Sequence, residues 1–227
     1  MPTPLLRIRN LNKSFHLHLI DGSQIDPVKN VNFELYPNQH FLIWGRSGIG
    51  KTSILKCIYR SYLISTGEIW FDSVQFGCID IAQAVDSVIL RLREREIGYC
   101  SQFLKVLPRV SAIDVISEPL IRQGMSQVDA HEQACQWLTR LGIREALWHA
   151  SPVTFSGGEQ QRINLGRAFI AAPRLLLLDE PTASLDANSK QIVVDMIHHA
   201  RTNGTAVLTV SHDLDTLVKL ADGQLAL

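Results

Sequence analysis

The chain has 227 residues, and its 22 Lys and Arg balance 22 Asp and Glu to a formal net charge of zero. Hydrophobic residues make up 46% and charged residues 19%, against roughly 25% charged in an average soluble domain. That excludes a disordered chain, which lacks the apolar material for a core, and a strongly cationic nucleic-acid binder. The longest aliphatic run is Leu175 to Leu178, far short of the ~20 residues of a spanning helix, so direct membrane insertion is not expected.

The opening residues lack the charged-then-apolar layout of a signal peptide. Their alternation of apolar and polar positions predicts a first strand instead. Val31, Phe33 and Leu35 alternate with polar neighbours and predict a half-buried strand. Residues 41–44 are continuously apolar, the pattern of a fully buried strand. A glycine-rich turn follows, then a helical pattern beginning at Lys51. Residues 67–71 read as a strand, and Val85, Val88, Ile89 and Leu92 place a helix within 81–95. Ser111 with Asp114 and Ser126 with Asp129 mark two helix starts, Gly124 and Gly142 their ends, and Pro119 is expected to end or kink the first. Strand, helix and strand return at 174–178, 189–201 and 206–210. The expected fold is α/β: 1–104 and 156–227 form the core, and about 105–155 a helical insertion.

Cys57, Cys78, Cys100 and Cys135 contain no CxxC pair, and the eight histidines have no metal-ligand spacing. Reduced, mostly buried thiols in a cytoplasmic protein are the expectation.

Gly45, Arg46, Ser47, Gly48, Ile49, Gly50, Lys51 and Thr52 match GxxxxGK[ST]. Glycines let such a loop curl so that backbone N–H groups face phosphate oxygens. Lys51 would reach the outer phosphates, the Thr52 hydroxyl would ligate Mg²⁺, and the helix start, Ser53 included, turns its positive end to the same anion. Nucleotide binding, with ATP and Mg²⁺, is implied. At the end of a hydrophobic strand stand Asp179, suited to hold Mg²⁺, and Glu180, suited to take a proton from water.

Phe155, Ser156, Gly157, Gly158, Glu159, Gln160, Gln161 and Arg162 resemble the signature of ATP-binding cassette (ABC) ATPases. Further marks agree in order. Gln102 is similar to the Q-loop glutamine, a metal-facing and catalytic residue. Ser184, Leu185 and Asp186 resemble the D-loop, and His212 the switch histidine. The resemblance implies a mostly parallel sheet with an antiparallel β subdomain. It also implies ATP held between the P-loop of one protomer and the Ser156, Gly157 and Gly158 anion site of another, either a second copy or a sister ABC subunit. Two positions depart from the pattern. Glu159 replaces the usual Gln. Phe15 lies further ahead of Gly45 than the usual adenine-stacking aromatic, so it either stacks the base or is a core phenylalanine.

Residues 101–112, Glu118-Pro-Leu, Leu147-Trp-His-Ala and residues 154–162 together resemble the L-subunit family of the bacterial carbon–phosphorus lyase system. That resemblance implies a soluble phosphonate-processing complex in the cytoplasm, with the chain as part of a ribose 1-methylphosphonate 5-triphosphate synthase and no nucleic-acid partner. The alternative is the ATPase of a membrane ABC transporter of the lipoprotein-release or macrolide-export type. A module that binds ATP without turnover is disfavoured by the complete Asp179, Glu180 and His212 set. Trp148 and His149 face a partner, or Trp148 anchors the helical insertion. Arg91, Arg93 and Arg95 read as a solvated charged stretch or a partner face.

Overall fold

A computed structural model describes residues 3–17, 23–104, 108–183 and 185–227. Two sheets form within them. The antiparallel one runs β2 (Ser23–Leu35), β1 (Leu6–Leu17), β4 (Thr66–Ser73), β5 (Gly77–Asp80). The parallel one runs β6 (Ile97–Cys100), β7 (Leu175–Asp179), β8 (Ala206–Ser211), β3 (His40–Trp44), β9 (Gly223–Ala226). This is the α/β arrangement expected from the motifs.

Parallel strands need crossovers, and helices supply them. These are α1 (Lys51–Ile58), α2 (Asp86–Arg95), α5 (Gly157–Phe169), α6 (Ala187–Thr202) and the short α7 (Leu214–Leu217). Covered on both faces, β7 is all Leu before its Asp, and all four leucines are fully buried. Each such side chain contributes roughly 1.5–3 kcal/mol of burial. One apolar cluster lies between the two sheets around α1, and another between the parallel sheet and α5 and α6.

A third cluster belongs to α3 (Ala112–Arg122), α4 (Gln127–Arg140) and α5. Ser111 and Ser126 accept the backbone N–H groups of Asp114 and Asp129, and Gly124 and Gly142 follow the helix ends at positive φ. Trp148 packs on this cluster and donates its indole N–H to the Ile143 carbonyl, while His149 is exposed.

Two expectations need correction and a third is narrowed. The helix around 81–95 starts only at Asp86, and Val85 ahead of it is 65% exposed. Asp80 accounts for the delay: its carboxylate takes the Ala82 N–H and its carbonyl those of Gln83 and Ala84, closing a turn. Of the two outcomes expected at Pro119, an end or a kink, the first does not occur: α3 continues to Arg122. A prolyl ring deletes one N–H but leaves its own carbonyl able to accept, here from Gln123. Only Cys57 and Cys100 are buried; Cys78, on the edge strand β5, is exposed and Cys135 partly so.

Residues 18–22, between β1 and β2, lie outside the described residues. On either side of them, His16 pairs with Gln24 and Leu17 with Ser23. The β1–β2 register shifts three times, and Asn10 and Asn30 take positive φ there, a conformation asparagine tolerates. Asn32 and Asn12 side chains accept the N–H groups of Asn10 and Asn30. Among the described residues no helix is long and apolar enough to cross a membrane.

His40 opens β3 fully buried, its Nε2 at 2.9 Å from the Thr209 hydroxyl. Burial pushes its pKa down to about 4, although the Leu220 carbonyl favours the charged form. The unfolded chain therefore binds a proton that the folded chain refuses. Stability is full above about pH 6.5 and declines as pH falls toward 4, by up to about 3 kcal/mol. Denaturant midpoints measured from pH 7 to 4.5 should fall less steeply for His40→Gln than for the wild type; parallel slopes would contradict this.

Candidate functional site

The parallel sheet presents the C-terminal ends of β3, β7 and β8 along one edge, where ligands collect in open α/β sheets. β3 runs into the glycine loop Gly45 to Gly50 and then α1. The loop is exposed over Arg46, Ser47, Gly48 and Ile49, whereas Lys51 is buried and Thr52 and Ser53 partly so. No side chain caps α1, so its first N–H groups remain available to an anion. Lys51 Nζ donates to the Gly45 and Arg46 carbonyls at 2.8 and 3.1 Å. It also lies 3.6 Å from Glu180 Oε1.

β7 ends in Asp179, and the chain turns sharply at Glu180, which takes φ 50. That turn sends the two carboxylates different ways. Asp179 Oδ1 accepts the Thr52 hydroxyl at 2.7 Å and Oδ2 the Tyr99 hydroxyl at 3.1 Å. Burial raises the Asp179 pKa, with both hydroxyls pulling the other way. Glu180 Oε2 accepts the Ser211 hydroxyl at 3.1 Å and the His212 N–H at 3.2 Å, and lies 2.9 Å from His212 Nδ1. The imidazole itself is largely exposed. Lys51, Thr52, Asp179, Glu180 and His212 thus form one connected cluster.

Its donors suit the groups the motifs imply. A Cβ built on Gly48 meets nothing within 4 Å, so the loop is an open cradle lined by backbone. Thr52 and Asp179 are hard oxygen donors in contact. Among the described residues no group of three or more His, Cys, Asp or Glu converges. That is the donor chemistry of Mg²⁺, which takes one or two protein oxygens and leaves the rest to phosphate and water.

Gln102 is exposed on the wall of a cavity of about 530 Å³ whose lining includes Thr52, Asp179 and Tyr99. Residues 105–107, just beyond it, lie outside the described residues. Asn164, buried on α5, donates to the Ser101 carbonyl at 2.6 Å and so fixes the base of the Gln102 loop. Phe15, partly buried, meets the Tyr62 ring edge-on at 5.2 Å, with Lys13 Nζ 4.6 Å from its centroid.

The signature residues lie apart from this cluster, at the start of α5. Ser156 accepts the Glu159 N–H, and the Glu159 carboxylate takes both the Ser156 N–H, at 3.0 Å, and its hydroxyl, at 2.7 Å. Those Ser156 bonds lower the Glu159 pKa. Neither Gly157 nor Gly158 has an atom within 3.8 Å of a built Cβ, Leu185 Cδ2 being 3.9 Å from that of Gly158, so the helix tip is open to approach. Asp186 caps α6, while Ser184 beside it lies outside the described residues. Tyr99, Ser211 and Asn164 carry no motif, and the sequence reading passes over them; only their neighbourhood to Gln102, His212 and the signature points to them.

A sequence model of the family described as ABC transporter matches residues 28–183. The lipoprotein-releasing system ATP-binding protein LolD of Hahella chejuensis is 31% identical over 234 residues, spanning 100% of this chain and 97% of that protein. The macrolide export ATP-binding/permease protein MacB of Marinobacter nauticus is 29% identical over 99% of this chain, which spans 34% of MacB. Among solved structures, the dimeric MJ0796, a bacterial ABC transporter cassette, superposes with TM-score 0.88 at 25% identity, over 98% of this chain and 94% of that one. A post-hydrolysis dimer of the same cassette, bound to ADP and Pi, matches equally.

Gly50 shows how tightly the loop is set. Its φ is +113, and a Cβ there would lie 2.1 Å from the Pro27 carbonyl oxygen, a backbone atom of β2 that cannot swing aside. Gly48, at φ +80, has free space. Gly50→Ala should therefore lose at least roughly 2 kcal/mol in denaturant unfolding, strain and clash together, and Gly48→Ala only the strain of about 1 kcal/mol. Equal stability of the two variants would contradict the packing of the loop on β2.

Proposed function

The chain belongs to the ABC transporter family, and from that premise we propose that it is an ATP-driven clamp that closes on a second nucleotide-binding subunit and passes the motion to a docked partner. It is an ATPase of the family's cassette type. The observation that carries the proposal is the single cluster of Lys51, Thr52, Asp179, Glu180 and His212.

The glycine loop, from Gly45 to Gly50, and the first turn of α1, Lys51 to Ser53, hold the phosphates, with Lys51 leaving its loop carbonyls for phosphate oxygens. Thr52, Asp179 and Gln102 hold Mg²⁺, which when bound neutralises phosphate charge. Glu180 accepts the proton of water, and His212 holds the Glu180 carboxylate. Phe15 stacks on the adenine. Ser156 and the Gly157 and Gly158 N–H groups of one protomer close over the nucleotide of the other. The dimeric state of the MJ0796 cassette supports this pairing.

Two readings of the docked partner differ in their support. The names of the relatives, LolD and MacB, support a permease partner of the lipoprotein-release or macrolide-export type; such a partner would be embedded in a membrane, with this chain on its cytoplasmic side. The phosphonate lyase complex rests on the local resemblances of residues 101–112, 118–120, 147–150 and 154–162 alone. Either partner would dock in the groove between the α/β core and α3–α5, where Gln102 senses it. Purification of a tagged chain separates them. The permease reading expects recovery from detergent-solubilised membranes with a membrane subunit and normal growth on methylphosphonate as sole phosphorus source. The lyase reading expects recovery from the cytosolic fraction without detergent, and loss of that growth when the gene is deleted.

Glu180→Gln keeps the bonds to Ser211 and His212 within reach but cannot take a proton. It should retain ATP binding, lose hydrolysis by at least roughly 100-fold, and accumulate as a two-cassette species on Mg-ATP. Size-exclusion chromatography with and without Mg-ATP checks this; a monomer under both conditions would sink self-pairing and leave a sister subunit as the other half.

A further inference from the structure

Tyr99 stands near the end of β6, paired in register with Leu177, and partly buried on the wall of the Gln102 cavity. Its hydroxyl donates to Asp179 Oδ2 at 3.1 Å. Its ring stacks on Tyr59, with centroids 5.0 Å apart and planes 24° apart. Tyr59 is pinned in turn by Arg93. Two guanidinium nitrogens donate to its carbonyl at 2.9 and 2.7 Å, and the guanidinium carbon lies 4.5 Å from its ring centroid. The Tyr99 phenol is thus fixed from behind and aimed at one oxygen of one carboxylate.

We propose that Tyr99 is a positioning residue for Asp179, fixing the plane in which that carboxylate meets a divalent metal. The proposal rests on the nucleotide reading above. The two Asp179 oxygens are held by different kinds of group. Thr52, on Oδ1, is itself a candidate metal ligand, so a metal ion competes for that bond. Tyr99, on Oδ2, is a hydroxyl donor with no second task. It is therefore the bond that persists when the metal arrives. Outer partners of this kind orient metal-ligating carboxylates, and their loss typically costs 10–100-fold in metal affinity or activity. A phenylalanine would fill the same space and keep the stack on Tyr59, so packing alone does not require the hydroxyl. The stack also reaches the groove proposed to receive the partner, because Tyr59 and Arg93 line the same cavity.

Tyr99→Phe isolates the bond. The probe is Mn²⁺, titrated by electron paramagnetic resonance into protein saturated with a non-hydrolysable ATP analogue. The variant should bind Mn²⁺ roughly tenfold more weakly, while its affinity for the analogue in EDTA and its melting temperature match the wild type. In wild-type protein, adding Mg²⁺ to the nucleotide complex should perturb tyrosine ultraviolet absorbance, a signal missing from the variant. Equal Mn²⁺ affinity in the two proteins would overturn the proposal. So would an equal loss of analogue affinity in EDTA, which marks a structural role, and so would absence of any tyrosine signal in the wild type. If the wild type itself binds no Mn²⁺ with the analogue, the nucleotide reading falls first and this proposal with it.

Discussion

Two adjacent carboxylates, Asp179 and Glu180, are buried at the end of β7, and the rest of the site is arranged around that constraint. Removing one ionised carboxylate from water costs several kcal/mol unless it is paired or hydrogen-bonded, and a second beside it adds like-charge repulsion. The chain answers in two ways. The positive φ of Glu180 is a strained backbone state, costing of order 1–3 kcal/mol, that turns the second carboxylate away from the first. Each carboxylate then receives its own donors: Thr52 and Tyr99 for Asp179, Ser211 and His212 for Glu180. Lys51, itself buried, sits 3.6 Å from Glu180 and supplies the opposite charge.

These donors come from three segments, α1, β6 and the end of β8, and only the parallel sheet brings them to the acid pair at the end of β7. Register pairs Asp179 with Val210 and Trp44 with Ser211, so β3, β7 and β8 end level. The glycine loop leaves from the first, the acid pair from the second and the Ser211–His212 donors from the third. A one-residue slip in β8 would exchange its inward and outward faces and withdraw Ser211 from Glu180. Burial of every residue of β7 and β8 makes such a slip costly, so the apolar strands fix the polar site.

α5 gives the signature its mechanical connections. Its tip carries the Ser156–Glu159 capping box. One turn on, Arg162 donates to Ser189 of α6 at 2.8 Å, and Asn164 donates to Ser101 beside Gln102. Gly166 admits Leu141 and Ile116 so closely that a Cβ would lie 2.5 Å from Leu141 Cδ1, which seats α3 and the end of α4 against the same helix. A displacement of α5 is therefore felt at the α6 cap, at the Gln102 loop and in the helical cluster together.

What the sequence made legible follows from how local each signal is. A glycine loop, an acid pair after four leucines and a serine-glycine cap are each written within a few consecutive residues, and periodicity marked most helices and strands. Asp80 closing a turn ahead of α2, and Pro119 inside α3, depend on which backbone acceptors the tertiary fold leaves in use; local pattern missed the first and left the second open between an end and a kink. Tyr99 is the sharper case. An aromatic at the end of a buried strand reads as core, and nothing near it in sequence announces a carboxylate 80 residues away. Its hydroxyl gains meaning only because β6 and β7 pair in parallel with Tyr99 level with Leu177, two residues before Asp179. Motifs name the groups that touch a ligand, whereas the groups that hold those groups are chosen by register, and register is a property of the folded sheet.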